Sequence, residues 1–345
     1  VTDASGFQFF SDEANSDSAT AVEEQPLPLS DSHDRPVLVT GASGLVGTHL
    51  CRELVESRWR VRAVVRDTAK ALARLGHIAI ETRVGDIRDP AVMQSALDGC
   101  GAVIHLAAIA IEKSGESFEA TNTDATAILL EAAKTAGIDR IIHMSQNGAD
   151  SSSPHPFLRS KGVAQDLVTS SSLRWTVFRP SVIFGPEDEF VNVLGRLVRL
   201  SPVVFPLPGG GTARFQPIAV DDVARALRLA LDNSATTGRT YSLGGSAQLT
   251  LRQMTERILI AMNATRILVP VPVGALRPVV GIAQSLLPKP PVTTALLDLL
   301  ELDNVVRDNA ISEFGIKPIP FAPEELLYLR KITFGSALRS LCGSN

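Results

Sequence analysis

The sequence is poor in the residues that mark several common designs. Three cysteines in 345 residues, Cys51, Cys100 and Cys342, stand far apart without ligand spacing, which argues against a disulfide scaffold or a zinc knuckle. The six histidines (His33, His49, His77, His105, His143 and His155) form no H-x-x-x-H pair, and no metal centre is expected. No run of about 18 uninterrupted apolar residues occurs, so no transmembrane span is expected. Basic charge is not in excess: 33 Lys and Arg face 37 Asp and Glu, a formal net charge of −4. Such a balance offers nucleic acid no general field. Tyrosine is scarce, with Tyr241 and Tyr328 alone.

What is present is a globular composition, 45% hydrophobic and 20% charged, on a chain long enough to bury a full core. The charge is uneven. Residues 1–34 carry eight carboxylates (Asp3, Asp12, Glu13, Asp17, Glu23, Glu24, Asp31, Asp34) and no Lys or Arg, which leaves the remainder at +4. This stretch lacks the layout of a secretory signal or an Arg-rich transit peptide and reads as an acidic disordered tail. It opens on Val rather than Met, as a processed or trimmed chain would.

Beyond the tail, short apolar runs alternate with helical periodicity. Strands are expected over 36–40, 60–65, 78–84, 101–106, 140–144 and 174–178, and helices over 45–57, 122–136 and 157–170. Strict alternation implies right-handed crossovers and an α/β fold, a Rossmann-like doubly wound parallel sheet. That unit is placed at 35–182, with returning segments near 212–243 and a helix after Asp221, which suits an N-cap. A smaller C-terminal α/β lobe takes 183–211 and 244–330, and a C-terminal tail takes 331–345.

Thr40-Gly-Ala-Ser-Gly-Leu-Val-Gly47 sits between the first strand and the first helix. There Gly41, Ser43, Gly44, Leu45, Val46 and Gly47 form a candidate phosphate cradle, glycines admitting the turn and the close packing, the helix N-terminus attracting negative charge. Arg66 ends the second strand nineteen residues beyond Gly47. A carboxylate there would suit a ribose 2′-hydroxyl, whereas an arginine suits a 2′-phosphate. NADP(H) is therefore favoured, with Asp67 leaving NAD(H) open. Asp86, after the third strand, either meets the adenine, with Ile87 beside it, or caps the helix after Pro90. Leu106, Ala107 and Ala108 either let the backbone pass close under the cofactor or serve sheet packing.

The TGxxGxxG turn, Gly85-Asp86, His105-Leu-Ala-Ala108, Met144-Ser145 and Lys161 together resemble the extended and atypical short-chain dehydrogenase/reductase superfamily. Arg179-Pro-Ser-Val-Ile-Phe-Gly-Pro186, Phe190-Val-Asn192, Phe215-Gln-Pro-Ile218, Val220-Asp-Asp-Val-Ala224, Leu302-Asp-Asn-Val-Val306 and Phe314-Gly-Ile316 resemble one branch of it. That branch holds the nucleotide-binding accessory subunit of respiratory complex I and its bacterial relatives. The resemblance runs over about 35–326 and adds Pro180 and Ile183 to the cofactor-binding set. Active members place a serine beside a Y-x-x-x-K helix, a spacing that puts phenol and ammonium one turn apart on one face. The matching positions here are Ser145, Phe157 and Lys161. Phe157 carries no oxygen, so a proton donor worth about 10²–10⁴ in rate is missing. Tyr241 reads as a strand residue, and His155 as either a substitute acid or a loop residue.

Ser145 and Lys161 are thus remnants that still suit cofactor binding. The expected protein is an NADP(H)-binding, non-catalytic structural, assembly or sensing component of a membrane-associated redox complex. The resemblance implies protein partners and a peripheral place on an energy-transducing membrane, the mitochondrial inner membrane or its bacterial equivalent. The alternatives are an active NAD(P)-dependent oxidoreductase or epimerase-type enzyme with a modified Ser-Phe-Lys site, and a regulator with a soluble partner. Leu276, Val279, Val280, Ala283, Leu286 and Leu287 fall near one side of a helix, serving either the lobe's own core or a docking face.

Overall fold

A computed structural model describes residues 34–112, 115–287 and 292–342. The acidic tail expected over 1–34 lies outside the described residues apart from Asp34, as do Pro288, Pro290, Pro291 and the last three residues.

The chain opens with strand β1 (Val37–Thr40), all four residues buried, and helix α1 (Leu45–Glu56). Then follow β2 (Val61–Val65), α2 (Thr68–Leu75), β3 (Glu81–Val84), α3 (Pro90–Leu97) and β4 (Ala102–His105). A π-helical turn at Glu119–Asp124 runs into α4 (Ala125–Thr135), followed by β5 (Arg140–Met144), α5 (Pro156–Thr169) and β6 (Arg174–Pro180). Shorter elements come next: β7 (Ile183–Phe184), α6 (Val191–Leu200), β8 (Val204–Pro208), β9 (Arg214–Phe215) and β10 (Ile218–Ala219). Next come α7 (Val220–Asp232), β11 (Arg239–Leu243), β12 (Leu249–Thr250), α8 (Leu251–Ala261) and β13 (Ile267–Val271). The last are α9 (Val273–Leu286), α10 (Thr294–Leu299) and α11 (Phe334–Cys342).

Among the described residues the main sheet has seven strands in the order β11-β6-β5-β4-β1-β2-β3, every pairing parallel. This is the doubly wound α/β fold that the alternation predicts. Strands covered on both faces must be apolar throughout, and Val-Leu-Val and Ala-Val-Ile in β1 and β4 meet that demand. One face is covered by α1 and α7, where Val46, Leu50 and Leu54 recur every fourth residue and Val223, Ala226, Leu227 and Ala230 answer them. The other face takes α3, α4 and α5 through Met93, Leu129, Ala133 and Val168. Chain order reverses between β1 and β4, which opens a crevice at the carboxyl ends of those strands.

A second core gathers α6, α8 and the parallel pair β8–β13 around Phe205, Leu207, Met254 and Ile258. It is fastened to the sheet by Asn304, whose backbone carbonyl receives Ser181 Oγ at 2.6 Å and whose side-chain oxygen receives Asn147 Nδ2 at 2.8 Å. Within the lobe, the start of α6 is held by Asp188, which has no exposed surface. That carboxylate accepts from the amides of Phe190 (2.8 Å), Val191, Asn192 (3.3 Å) and Gly185 (3.3 Å), and from Asn192 Nδ2 at 2.9 Å. Burial raises its pKa while those amides oppose the rise, and the start of α6 favours the negative charge.

Local expectations shift in four places. The helix predicted from 122 begins instead with the π turn, whose wider pitch carries Asn122 inward. The strand predicted from 78 starts at Glu81, because at the sheet edge Ile78 and Ile80 pack partly buried rather than pairing. Asp221 does not cap α7: Ala219 holds that position, and Asp221 sits in the first turn with its oxygen 2.5 Å from His49 Nδ1. Within the stretch expected as a C-terminal tail, Phe334–Cys342 is helical and buries Ala337.

Because the Asp188 carboxylate satisfies four backbone amides that nothing else reaches, Asp188→Ala is expected to cost about 2–3 kcal/mol of unfolding free energy. Urea denaturation at neutral pH measures this, and Asp188→Asn, which keeps one acceptor, loses less.

Candidate functional site

The turn after β1 is shaped by backbone proximity. Gly41 has φ +71°, and a Cβ there would stand 2.8 Å from the amide nitrogen of Ala107. At Gly47 a Cβ would stand 2.2 Å from the carbonyl oxygen of Gly41, so no larger residue fits either position. The Gly44 amide donates to Gly41 O at 2.9 Å and closes the turn. Helix α1 then begins with Gly44 at its N-cap, without a side-chain cap and without an acid in its first turn. Its leading amides face outward with a partial positive charge, which a phosphate would satisfy. The residues present therefore fit a dinucleotide's pyrophosphate, and such a group, when bound, supplies hydride chemistry at its nicotinamide.

Strand register sets the rest of the site. Thr40 pairs with His105 and His105 with His143 across β1, β4 and β5, so Gly41, Leu106–Ala107 and Met144–Ser145 share one edge. Leu106 is buried, Ala107 half-buried and Ala108 exposed; Pro180 is buried and Ile183 half-buried. At the far end, Arg66 is exposed and ion-paired with Glu116, while Asp67 caps α2 by accepting from Lys70 N at 2.9 Å. Asp86 is bound by Arg88 at 2.7 Å, a contact that holds its carboxyl below the usual range. Asp86 does not cap the next helix. Asp89 does, accepting from Ala91 N at 2.9 Å, because a cap must directly precede the first helical residue, Pro90. Asp86 also feels the charge of Arg66, and Arg88 that of Glu116, so the four form one cluster. Ile87, beside it, is buried.

The third group lies where β5 meets α5. Ser145 is buried, and its Oγ has no hydrogen-bond partner among the described residues. Lys161, also buried, donates from Nζ to the carbonyl of Met144 at 2.7 Å. Burial of its ammonium brings its pKa from 10.5 to about 8. Phe157 stands one turn earlier on α5, its ring tilted against Phe118 at 5.7 Å between centroids. His155 is half-buried at the N-cap of that helix. Both tyrosines are engaged elsewhere: Tyr241 on β11 stacks on Phe178 at 5.6 Å, and Tyr328 donates to Asp188 at 3.4 Å.

Beneath Ser145 the fold assembles residues that no local spacing announced. His105 bonds Thr40 Oγ1 at 2.7 Å and Thr126 Oγ1 at 3.0 Å, and stacks on His143 at 5.4 Å. Burial, reinforced by the Lys161 charge, takes His105 down to about 3 and His143 well below its ordinary value. Both imidazoles are neutral at physiological pH, leaving Lys161 as the site's one buried cation among the described residues. Asn122 donates from Nδ2 to Ile109 O (3.1 Å) and Ser160 Oγ (3.0 Å), joining the loop after β4 to α5. The identical strand positions of His105 and His143 were the available signal for that pair. Arg88 and Asn122 had none.

Comparison with known proteins gives the family and the fold. The sequence model described as the NAD dependent epimerase/dehydratase family matches residues 37–244. The mitochondrial NADH dehydrogenase (ubiquinone) 1 alpha subcomplex subunit 9 of Arabidopsis thaliana is 33% identical over 224 residues, 63% of this chain and 56% of that protein. The ceramide reductase of Caulobacter vibrioides is 32% identical over 192 residues, 55% of this chain and 59% of that one. The chain thus spans less than two thirds of the length of either relative. A UDP-glucose 4-epimerase of Thermotoga maritima, solved with UDP-glucose, shares the fold with a TM-score of 0.65, covering 89% of this chain and 99% of that one at 21% identity.

Lys161 sets a pH dependence. Its pKa is about 8 folded and 10.5 when unburied, so between these values the unfolded chain binds the extra proton and stability rises with pH. Below pH 8 the penalty is constant. The stability of Lys161→Met relative to the parent is therefore expected to shift in the parent's favour as pH rises from 8 to 10.5. Denaturation curves at pH 7, 8.5 and 10 measure it, and a gap independent of pH would contradict the assignment.

Proposed function

We propose that this chain, which belongs to the NAD dependent epimerase/dehydratase family, holds NADP(H) without efficient turnover and serves as a structural, assembly or sensing component of a membrane-associated redox complex. The observation that carries this reading is Phe157. It occupies the position one turn before Lys161, where proton transfer would need a hydroxyl, and both tyrosines of the chain are committed to packing. Ser145 and Lys161 keep roles that need no turnover: Lys161 exchanges its bond to Met144 O for a ribose hydroxyl, and Ser145 offers its free Oγ to a carboxamide. The dinucleotide unit is taken as 35–182 with 212–243, and the partner-facing lobe as 183–211 with 244–330.

NADP(H) is preferred because Arg66 and Arg88 follow β2 and β3, while Asp67 is engaged with the Lys70 amide and Asp86 with Arg88. The exposed Arg66–Glu116 pair would open to admit a 2′-phosphate, whose greater negative charge and fork of oxygens suit a guanidinium. Bound nucleotide stabilises the fold by mass action and makes the folded population report nucleotide supply. The likeness to the Arabidopsis subunit supports the complex-bound role. Among the described residues no helix is long and apolar enough to cross a membrane, so attachment would be peripheral.

A second reading, an active oxidoreductase, is favoured by the buried, unpartnered Ser145 Oγ, by the depressed pKa of Lys161 and by the likeness to a ceramide reductase. One experiment separates the two. Phe157→Tyr is expected to create cofactor-dependent carbonyl reduction at least about 10²-fold above the parent, measured as NADPH oxidation over a panel of carbonyl compounds. Robust turnover by the parent itself overturns the non-catalytic reading. In parallel, Arg66→Ala is expected to weaken NADP(H) about tenfold while leaving NAD(H) nearly unchanged, by calorimetric titration and by mass spectrometry of nucleotide retained through purification.

A further inference from the structure

We propose that the C-terminal lobe carries a binding site for a single aliphatic chain whose head carries no negative charge. Between α6, α9 and α10 lies a cavity of about 240 Å³ walled by Leu194, Leu197, Phe205, Leu276, Val280 and Leu297, among others. Of all the residues around it, only Glu189 and Ser201 carry polar side chains. Ordered water needs two to four polar partners, and apolar cavities of roughly 150 Å³ stay dry and take up benzene. This one is larger and partly open to solvent, and its apolar lining leaves room for a small hydrocarbon while giving water few partners.

The helix above it is built to be completed by something else. In α9 only Val273 is buried, and the helix contains Pro278, which removes one backbone bond. Its inner residues Leu276 and Val280 are only partly buried against the second core, because the space below them is void rather than side chain. Wall atoms facing a void forfeit their dispersion contacts, and a flexible alkyl chain restores them along an irregular wall. The rim decides the head group. Glu189, exposed beside buried Asp188, is the one charged residue that lines the cavity. A carboxylate head would be repelled there, so the head of the chain carries no negative charge. None of the residues walling this cavity belongs to the turn, to the Arg66 cluster or to the Ser145–Lys161 group.

The test uses the full chain, stripped of lipid and titrated with 1-dodecanol and separately with dodecanoate at pH 8. Saturable one-to-one uptake of dodecanol with a rise in Tm is expected, with dodecanoate at least tenfold weaker. Val280→Trp and Ala283→Trp, which fill the void from two positions, are expected to abolish uptake while retaining the parent's circular dichroism and nucleotide retention. The proposal is overturned if the parent shows no saturable uptake, if both filled variants still bind, or if dodecanoate binds as well as dodecanol. Adsorption to phosphatidylcholine vesicles that persists in the filled variants, without dodecanol uptake, would mark the face as a lipid-surface contact and also overturn it. Nucleotide retention, followed in the same samples, reports separately on the dinucleotide site.

Discussion

Backbone touching backbone at one edge of the sheet is the constraint from which the rest follows. Gly41 lies against the Ala107 amide, and Gly47 lies against the carbonyl of Gly41. That double approach brings the start of α1 over the crevice between β1 and β4, where the strand order reverses. The groups that follow β4 and β5 are placed relative to this edge by parallel register, which is tightly specified because β1, β4 and β5 are central, buried strands. Thr40 makes the connection tangible: its hydroxyl bonds His105, which bonds Thr126, whose hydroxyl in turn donates to the Asn122 carbonyl at 2.7 Å. The phosphate turn and the α5 helix are therefore parts of one hydrogen-bonded body.

Within that body Lys161 is the expensive element. An ammonium in an enclosed site, with one backbone carbonyl for a partner, is destabilising in the folded chain unless a ligand rewards it. The neighbouring imidazoles respond by staying neutral, and the Ser145 hydroxyl is left unpartnered. On the proposed reading, such a cluster keeps the polar half of a hydride-transfer site. Phe157 replaces the other half with hydrocarbon that packs on Phe118. Cofactor retention and catalytic silence are compatible in one pocket because the two tasks draw on different atoms.

The second lobe has a different physical character. Its fastening to the sheet is polar and specific, through Asn304, whereas its outer helix α9 is apolar and incompletely packed. Val279, Ile282 and Leu286 are 65%, 60% and 75% exposed, while Leu276 and Val280 pack partly buried against the second core.

What was legible in the chain of letters was whatever lies within a few residues of itself. The glycine turn, the alternation of strands and helices, and the four-residue step from Phe157 to Lys161 are local patterns, and local geometry follows from backbone sterics and helical pitch. Residues paired across long separations were not legible. His49 meets Asp221, Arg66 meets Glu116, and Asn122 is swung inward by a π turn to join Ile109 and Ser160. Asp86 could be read equally as a cap or as a site residue until Arg88 was seen to occupy it. By itself the sequence determined the fold class, the glycine turn between β1 and α1, and the absence of a phenol one turn before the lysine. Only tertiary structure decided which charges are paired, which histidines are kept neutral and where the lobe leaves space, because burial and long-range contact are properties of the packed chain and not of any segment.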